Sequence, residues 1–415
     1  MSDKKENQDK KLSREPYKGT RDFYPEDMAF QKWLFSVMRK VCESYGYVEY
    51  GASPLEIAEL YAAKTGEEIV NEQTYTFEDR GGRKVTLRPE MTPTIARMIA
   101  ARRRELSFPL RWYSIPNLFR YEQPQRGRLR EHYQLNIDIF GVKSIEADIE
   151  IISVAHSIMK ALGAKDEDFE IRINSRKLLQ ERILPKLKNT DMYSKALRIY
   201  DKIEKIPLEE FEKEWQALSN EPAERNTKPN ETITNLIDSL KKIGVSNAVF
   251  HPTLVRGFDY YTDIVFEIFD TNKENRRALF GGGRYDELLS IFDEESIPAV
   301  GFGMGDVATR DFLETHKIPF DFKSPVDLYI CLTEDVSSDF ANEIAAKLRK
   351  DGVNVAIDWS RRKIGDQIKS ADKAKIPYII VLGEEEMKSE TFNLKNLATG
   401  EESKLSLSEI ANKLK

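Results

Sequence analysis

Cysteine is nearly absent from this sequence: Cys42 and Cys331 are the only two in 415 residues, and they lie far apart. That excludes a disulfide framework and a thiolate zinc site, and two buried thiols in a reducing compartment are the expected state. Histidine is scarce too, with His132, His156, His251 and His316 as the full set, so no metal centre is expected. There is no surplus of positive charge. The formal net charge is -6, which leaves no chain-wide basic footprint, so contact with nucleic acid has to come from local patches. Long hydrophobic runs are missing as well. The longest, residues 376–382, is far too short to span a bilayer, and residues 1–16 mix Lys, Glu, Asp and Gln without the apolar core of a signal peptide. That segment reads as a disordered tail, and the chain as a cytoplasmic protein with no membrane contact.

What is present is enough for two or three domains: 40% hydrophobic and 32% charged residues over this length. Phe30, Trp33, Leu34, Val37, Met38, Val41 and Tyr45 recur at helical spacing up to Gly46. A strand is expected at 47–50 and a second helix at 55–64. Gly81-Gly82 marks a hairpin between 74–77 and 84–88. Pro89 is suited to open a helix running to 101. A strand over 112–121, a basic loop over 123–129 and a strand over 131–140 form an antiparallel hairpin. In its second strand Tyr133, Leu135, Ile137 and Ile139 face one way, and His132, Gln134, Asn136 and Asp138 the other. Residues 177–242 turn Lys- and Glu-rich with helical periodicity and break at 221–226, as an inserted helical domain does. From 324 onward, strands at 326–332, 353–357 and 378–382 alternate with helices at 340–350 and 364–375, which predicts a small α/β domain with a largely parallel sheet.

The chemistry concentrates in a few stretches. Arg256-Gly257-Phe258-Asp259-Tyr260-Tyr261 puts an always-charged residue beside two aromatic hydroxyls, and Gly281-Gly282-Gly283-Arg284-Tyr285-Asp286 lets a backbone approach a ligand closely. Phe119-Arg120-Tyr121-Glu122 precedes a loop holding Arg126, Arg128 and Arg130. With Arg120 and Glu122 on one strand face, that arrangement suits phosphate binding. The plainer alternative is a solvated basic loop with a surface ion pair. In Arg88-Pro89-Glu90-Met91-Thr92 the polar residues sit where a helix begins, and capping explains them equally well. Gln134 and Asp138 share one strand face. Arg361-Arg362-Lys363 followed by Lys369, Lys373 and Lys375 is a patch that could track RNA phosphates or simply face solvent.

Taken in order, these stretches resemble the histidine–tRNA ligase family of class II aminoacyl-tRNA synthetases. Lys18-Gly19-Thr20-Arg21-Asp22-Phe23-Tyr24-Pro25 is similar to that family's N-terminus, Pro54-Leu55-Glu56 with Glu59-Leu60-Tyr61 to motif 1, residues 119–134 to motif 2, and 256–261 with 281–286 to its two histidine-specific motifs. The stretches 365–374 and 379–383 are similar to its anticodon-binding domain. The resemblance implies an α+β fold: a catalytic domain with an antiparallel sheet flanked by helices (17–170 and 247–322), a helical insertion (171–246) and a C-terminal α/β anticodon-binding domain (323–415). It implies ligation of L-histidine to tRNA(His) through histidyl-adenylate, with ATP and Mg2+ on its phosphates, in a homodimer. Glu90, Thr92 and Gln134 would hold the α-amino group. Asp138 and Tyr261 would read the imidazole nitrogens, with Tyr260, Tyr285, Gly281 and Gly283 shaping the pocket. Arg120 and Arg256 would grip the α-phosphate, with Glu122 and Arg128 placing the rest of ATP. A site that hydrogen-bonds its substrate at both ends of the ring discriminates by roughly 10⁴ or more without editing, so no editing domain is expected. One departure stands out. Where motif 3 carries an arginine against adenine, this chain has Ala308, and Arg310, about 200° further round a helix, is only a candidate substitute. A non-catalytic paralogue, such as an ATP phosphoribosyltransferase regulatory subunit or a tRNA sensor, is the alternative reading.

Overall fold

The computed structural model describes residues 12–62, 73–203, 206–224, 227–256, 260–275 and 277–414. Most of the expected tail, the last residues of the helix expected over 55–64, residues 225–226 of the insertion's break and the middle of the first arginine–tyrosine motif (257–259) lie outside them. The chain divides into two compact units, 1–319 and 320–415.

The first unit is built on a nine-stranded sheet. Along it run Val48–Glu49, Leu110–Ser114, Glu131–Phe140, Ala299–Gly305, Ala278–Arg284, Ile264–Asp270, Phe169–Ser175 and Ala248–Phe250, with Asn117–Phe119 also paired to Glu131–Phe140. The central pairs are antiparallel, and only the two outermost strands run parallel to their neighbours. The helix Pro25–Ser44 buries Phe30, Leu34, Met38 and Cys42 at four-residue spacing and stops at Gly46, whose φ of 82° suits a residue without Cβ. The chain leaves the sheet at Arg176 and returns at Ala248. Between these points the helices Arg176–Ile183, Tyr193–Asp201 and Leu208–Leu218 pack around Leu179, Tyr200, Phe211 and Trp215.

Several local expectations are corrected. Residues 55–57 form a strand in a three-stranded sheet, not the start of a helix. Period two decides it: Leu55 and Ile57 face outward, while Glu56 turns inward to Arg97 at 2.8 Å. The strand expected over 112–121 is broken at 115–116, because Pro116 has no N–H to give the ladder. It ends at Phe119, so Arg120 and Glu122 do not share a strand face. The Glu122 N–H instead closes a tight turn onto the Arg120 carbonyl at 2.7 Å. The helix expected from Pro89 begins at Thr92, with Pro93 in its first turn, where a missing N–H costs nothing. Pro89 lies in the bend before it.

The second unit has a five-stranded sheet in the order Val355–Ile357, Leu328–Leu332, Tyr378–Leu382, Phe392–Asn396, Glu402–Leu405. Its first three strands are parallel, and a C-terminal antiparallel pair extends it. Among the described residues no helix is long and apolar enough to cross a membrane.

Candidate active site

The register of the central sheet builds a floor of glycine. Gly281 pairs with Gly303 and Gly283 with Gly301 across two neighbouring strands. On one side the same row continues to Asp138 opposite Gly301, Asn136 opposite Gly303 and Gln134 opposite Gly305. On the other side it continues to Glu267 opposite Gly281. Residues paired across a sheet share a face, so a bare central strip is flanked by polar side chains on both sides. The strip has to be bare. A Cβ on Gly301 would lie 2.0 Å from Asp138 Oδ1 and 2.4 Å from the Ile137 carbonyl, and one on Gly281 would lie 2.3 Å from the Phe266 carbonyl. Gly301→Ala is therefore expected to cost about 1–3 kcal/mol of stability, read as a lower thermal midpoint.

Above this floor lies a partly enclosed cavity on which polar groups converge, as they do in small-molecule sites. Glu90, Thr92, Arg120, Gln134, Asp138, Arg256, Tyr260, Tyr261, Gly281 and Tyr285 line it, so residues drawn from four separate stretches of sequence meet there. Asn136, Gly301, Phe302 and Gly303 complete the lining. Sequence reasoning had placed Asn136 on the polar strand face without giving it a role. Glycine at 301, 303 and 305, every second position of one strand, is a signal of close approach that is visible in the sequence.

Each end of the cavity has its own chemistry. At one end Asp138 accepts a hydrogen bond from the Tyr285 hydroxyl. Burial raises the Asp138 carboxyl to about 7, against which the Tyr285 bond works to keep it ionised. Tyr285 packs edge-on against Phe140 and against Tyr260, which in turn leans on Tyr261 at 4.8 Å. At another end Glu90 is buried and accepts from the Tyr260 hydroxyl at 3.3 Å. The Arg256 guanidinium is held by Glu267 at 2.8 Å, by the Gly281 carbonyl at 3.1 Å and by the Tyr261 hydroxyl at 3.4 Å. Burial opposes its charge, but Tyr261 and Glu267 more than restore it. Its Nε is buried with no hydrogen-bond partner among the described residues, which is costly unless an acceptor arrives with a ligand. Arg120 is anchored through Nε to the Pro89 carbonyl at 2.8 Å.

Other expected residues stand outside this lining. Gly283 belongs to the floor beneath Tyr261. Glu122 and Arg128 face each other at 3.6 Å in the loop after Phe119. Arg310 lies over the Phe30 ring and is held by Asp27 at 3.0 Å and Glu314 at 2.9 Å. His132 lies on the same strand face as Gln134. Burial, then Arg120, Arg21 and Arg128, press it down to about 3, so it is a neutral ring at working pH.

Two buried anchors were not foreseen. Arg284 reaches Asp148 through Nε at 3.1 Å and the carbonyls of Val142 and Ser144 at 3.0 Å. It thereby ties the end of the strand bearing Asp138 to the strand that leads into Tyr285. Asp306, at the start of the helix Asp306–Thr315, gathers Arg21 and Gln31 at 2.8 Å and the Tyr133 N–H at 2.9 Å.

Comparison with known proteins follows the same division. The family model described as histidyl-tRNA synthetase matches residues 19–200 and 176–306, and that of the anticodon binding domain matches 327–415. A histidine–tRNA ligase of Leptospira biflexa serovar Patoc is 43% identical over 98% of this chain and 98% of its own length. One from Thermoplasma volcanium is 38% identical over 95% and 97%. The crystal structure of apo histidyl-tRNA synthetase from S. aureus is similar at a TM-score of 0.76 and 26% identity, covering 97% of this chain and all of that one. Site, fold and relatives agree: the chain belongs to the histidyl-tRNA synthetase family.

Proposed function

We propose that this chain activates L-histidine with ATP and transfers it to tRNA(His). One observation carries this reading: a single cavity lined by a hydrogen-bonded Asp138–Tyr285 pair, the acidic Glu90 and two anchored arginines. The Glu90 carboxylate, with Thr92 and Gln134, offers acceptors for the substrate ammonium. Asp138 takes an imidazole N–H, and Tyr261 serves the second ring nitrogen. A side chain lacking either nitrogen leaves a buried group unpaired.

The histidine carboxylate attacks the α-phosphorus of ATP. A new P–O bond forms, the bond from the α-phosphorus to the oxygen bridging to the β-phosphate breaks, and pyrophosphate leaves; Mg2+, where it accompanies the nucleotide, would neutralise charge on those departing phosphates. Negative charge grows on the α-phosphate oxygens, where Arg120 and Arg256 are already fixed and need no reorganisation. A terminal ribose hydroxyl of the tRNA then attacks the activated carbonyl and AMP leaves. Glu122 and Arg128 serve the remainder of ATP, and Arg310 is the candidate for adenine, although its charge is engaged by Asp27 and Glu314. Histidine-dependent exchange of pyrophosphate into ATP is the direct test; folded protein without exchange would sink this reading and favour the non-catalytic alternative.

A homodimer suits the three-stranded sheet. Leu55, Leu87 and Tyr75 form one cross-strand row and Ile57, Val85 and Phe77 the next, on one face. Leu55, Ile57 and Phe77 remain exposed there, an apolar strip that a second copy would cover. The cytoplasm is the compartment in which this activity and two free thiols fit together.

A further inference from the structure

In the second unit, Trp359 is 49% exposed, whereas Trp215 is buried and Trp33 and Trp112 are half-buried. It sits in the loop between Val355–Ile357 and the helix Ile364–Lys373. The chain runs from the central strand Leu328–Leu332 to Val355–Ile357 on one side, then crosses to Tyr378–Leu382 on the other. This loop therefore lies at the carboxyl ends of parallel strands where the winding reverses, the place where open α/β sheets take ligands.

The loop is rigidly built. Asp358 is buried and accepts from the Ser360 N–H at 2.8 Å, the Tyr329 hydroxyl at 3.0 Å and Arg362 at 3.4 Å. Arg361 holds a left-handed φ of 54° and is pinned to the carbonyls of Thr333 at 2.7 Å and Glu334 at 3.4 Å. A strained non-glycine residue persists only where its surroundings hold it there, and such residues gather at ligand sites. Gln367, fully buried, clamps both backbone groups of Leu332 at 2.9 Å and the Arg362 carbonyl at 2.6 Å. These bonds order the loop around Trp359, yet the indole itself is left facing solvent. From 359 to 375 the sequence carries six basic residues and two acidic ones, Asp366 and Asp372, in a chain of net charge -6.

A flat aromatic on a fixed loop beside local positive charge is the arrangement that takes an unstacked base of single-stranded RNA and tracks its phosphates. We propose that Trp359 is the platform on which a base of the tRNA anticodon loop stacks. The proposal rests on the tRNA reading above and adds the face and the residue.

Trp359→Ala is expected to lower kcat/KM for tRNA charging by roughly tenfold or more, the scale of one lost base stack, with histidine-dependent pyrophosphate exchange unchanged. Trp359→Phe keeps a stacking face and should retain most of the charging. An RNA stem–loop with the tRNA(His) anticodon should quench tryptophan fluorescence in the wild type and not in Trp359→Phe. Wild-type charging matched by Trp359→Ala, or quenching that survives in Trp359→Phe, overturns the assignment and leaves the tRNA reading standing. A wild type that runs pyrophosphate exchange but neither charges tRNA(His) nor is quenched overturns both.

Discussion

Arg256→Ala lowers histidine-dependent pyrophosphate exchange by about 10² or more and leaves the Kd for histidine nearly unchanged: this is the result expected from the site. The guanidinium is part-buried, fixed by Glu267, the Gly281 carbonyl and Tyr261, and its buried Nε has no partner among the described residues. Its charge is in place before the phosphate oxygens become more negative, which is when a fixed cation lowers a barrier. Histidine itself is held by other groups, so its binding should survive. The substitution also takes from the part-buried Glu267 carboxylate its arginine, at a separate cost in stability. The double variant Arg256→Ala, Glu267→Gln relieves that cost. It should regain much of the thermal midpoint and none of the exchange activity. Exchange that barely falls in either variant would contradict the role given to Arg256.

The second large effect concerns Asp138. Asp138→Asn is expected to reduce kcat/KM for histidine by about 10², the scale of losing a hydrogen bond to a charged partner. The protein should meanwhile become more stable. The sign follows from burial, which raises this carboxyl to about 7, above the ordinary carboxylate value of about 4. A group raised in this way contributes stability that is fully present below pH ~4 and lost as pH rises through about 7. At pH 8 the folded protein carries a buried charge, and the asparagine variant does not. Its gain in thermal midpoint should therefore be larger at pH 8 than at pH 5. A gain independent of pH, or unchanged histidine selection, would show that Asp138 is not the ionised reader of the ring. Tyr285 gives the carboxylate one hydrogen bond, and an imidazole N–H would give it another. Binding should thus weaken as Asp138 takes up a proton below pH 7.

How much of this was legible beforehand depends on the range of the signal. The alternation over 131–140 located the strand and its polar face, because side-chain direction along a strand is a matter of local geometry. The arginine–tyrosine and glycine motifs were legible for a similar reason: their chemistry lies within a few consecutive residues. Helix 25–44 and the alternating elements of the second unit were equally plain from period and breakers. Strand 55–57 was misread because three residues are too few to separate period two from a helical turn, and the break at Pro116 was missed although the residue that causes it was in view.

The sequence by itself determined the family, most of the polar residues that line the cavity, and the faces on which several of them stand. Only the tertiary structure decided which strands are neighbours and in what register. That register sets Gly301 against Asp138 and Gly303 against Asn136. It also brings Arg284 to Asp148 across 136 positions of chain and Asp306 to Arg21 across 285. The physical reason is that periodicity reports which way a side chain points and nothing about what lies opposite. A glycine acquires its role from the atom its missing Cβ would have struck, and that atom belongs to another strand.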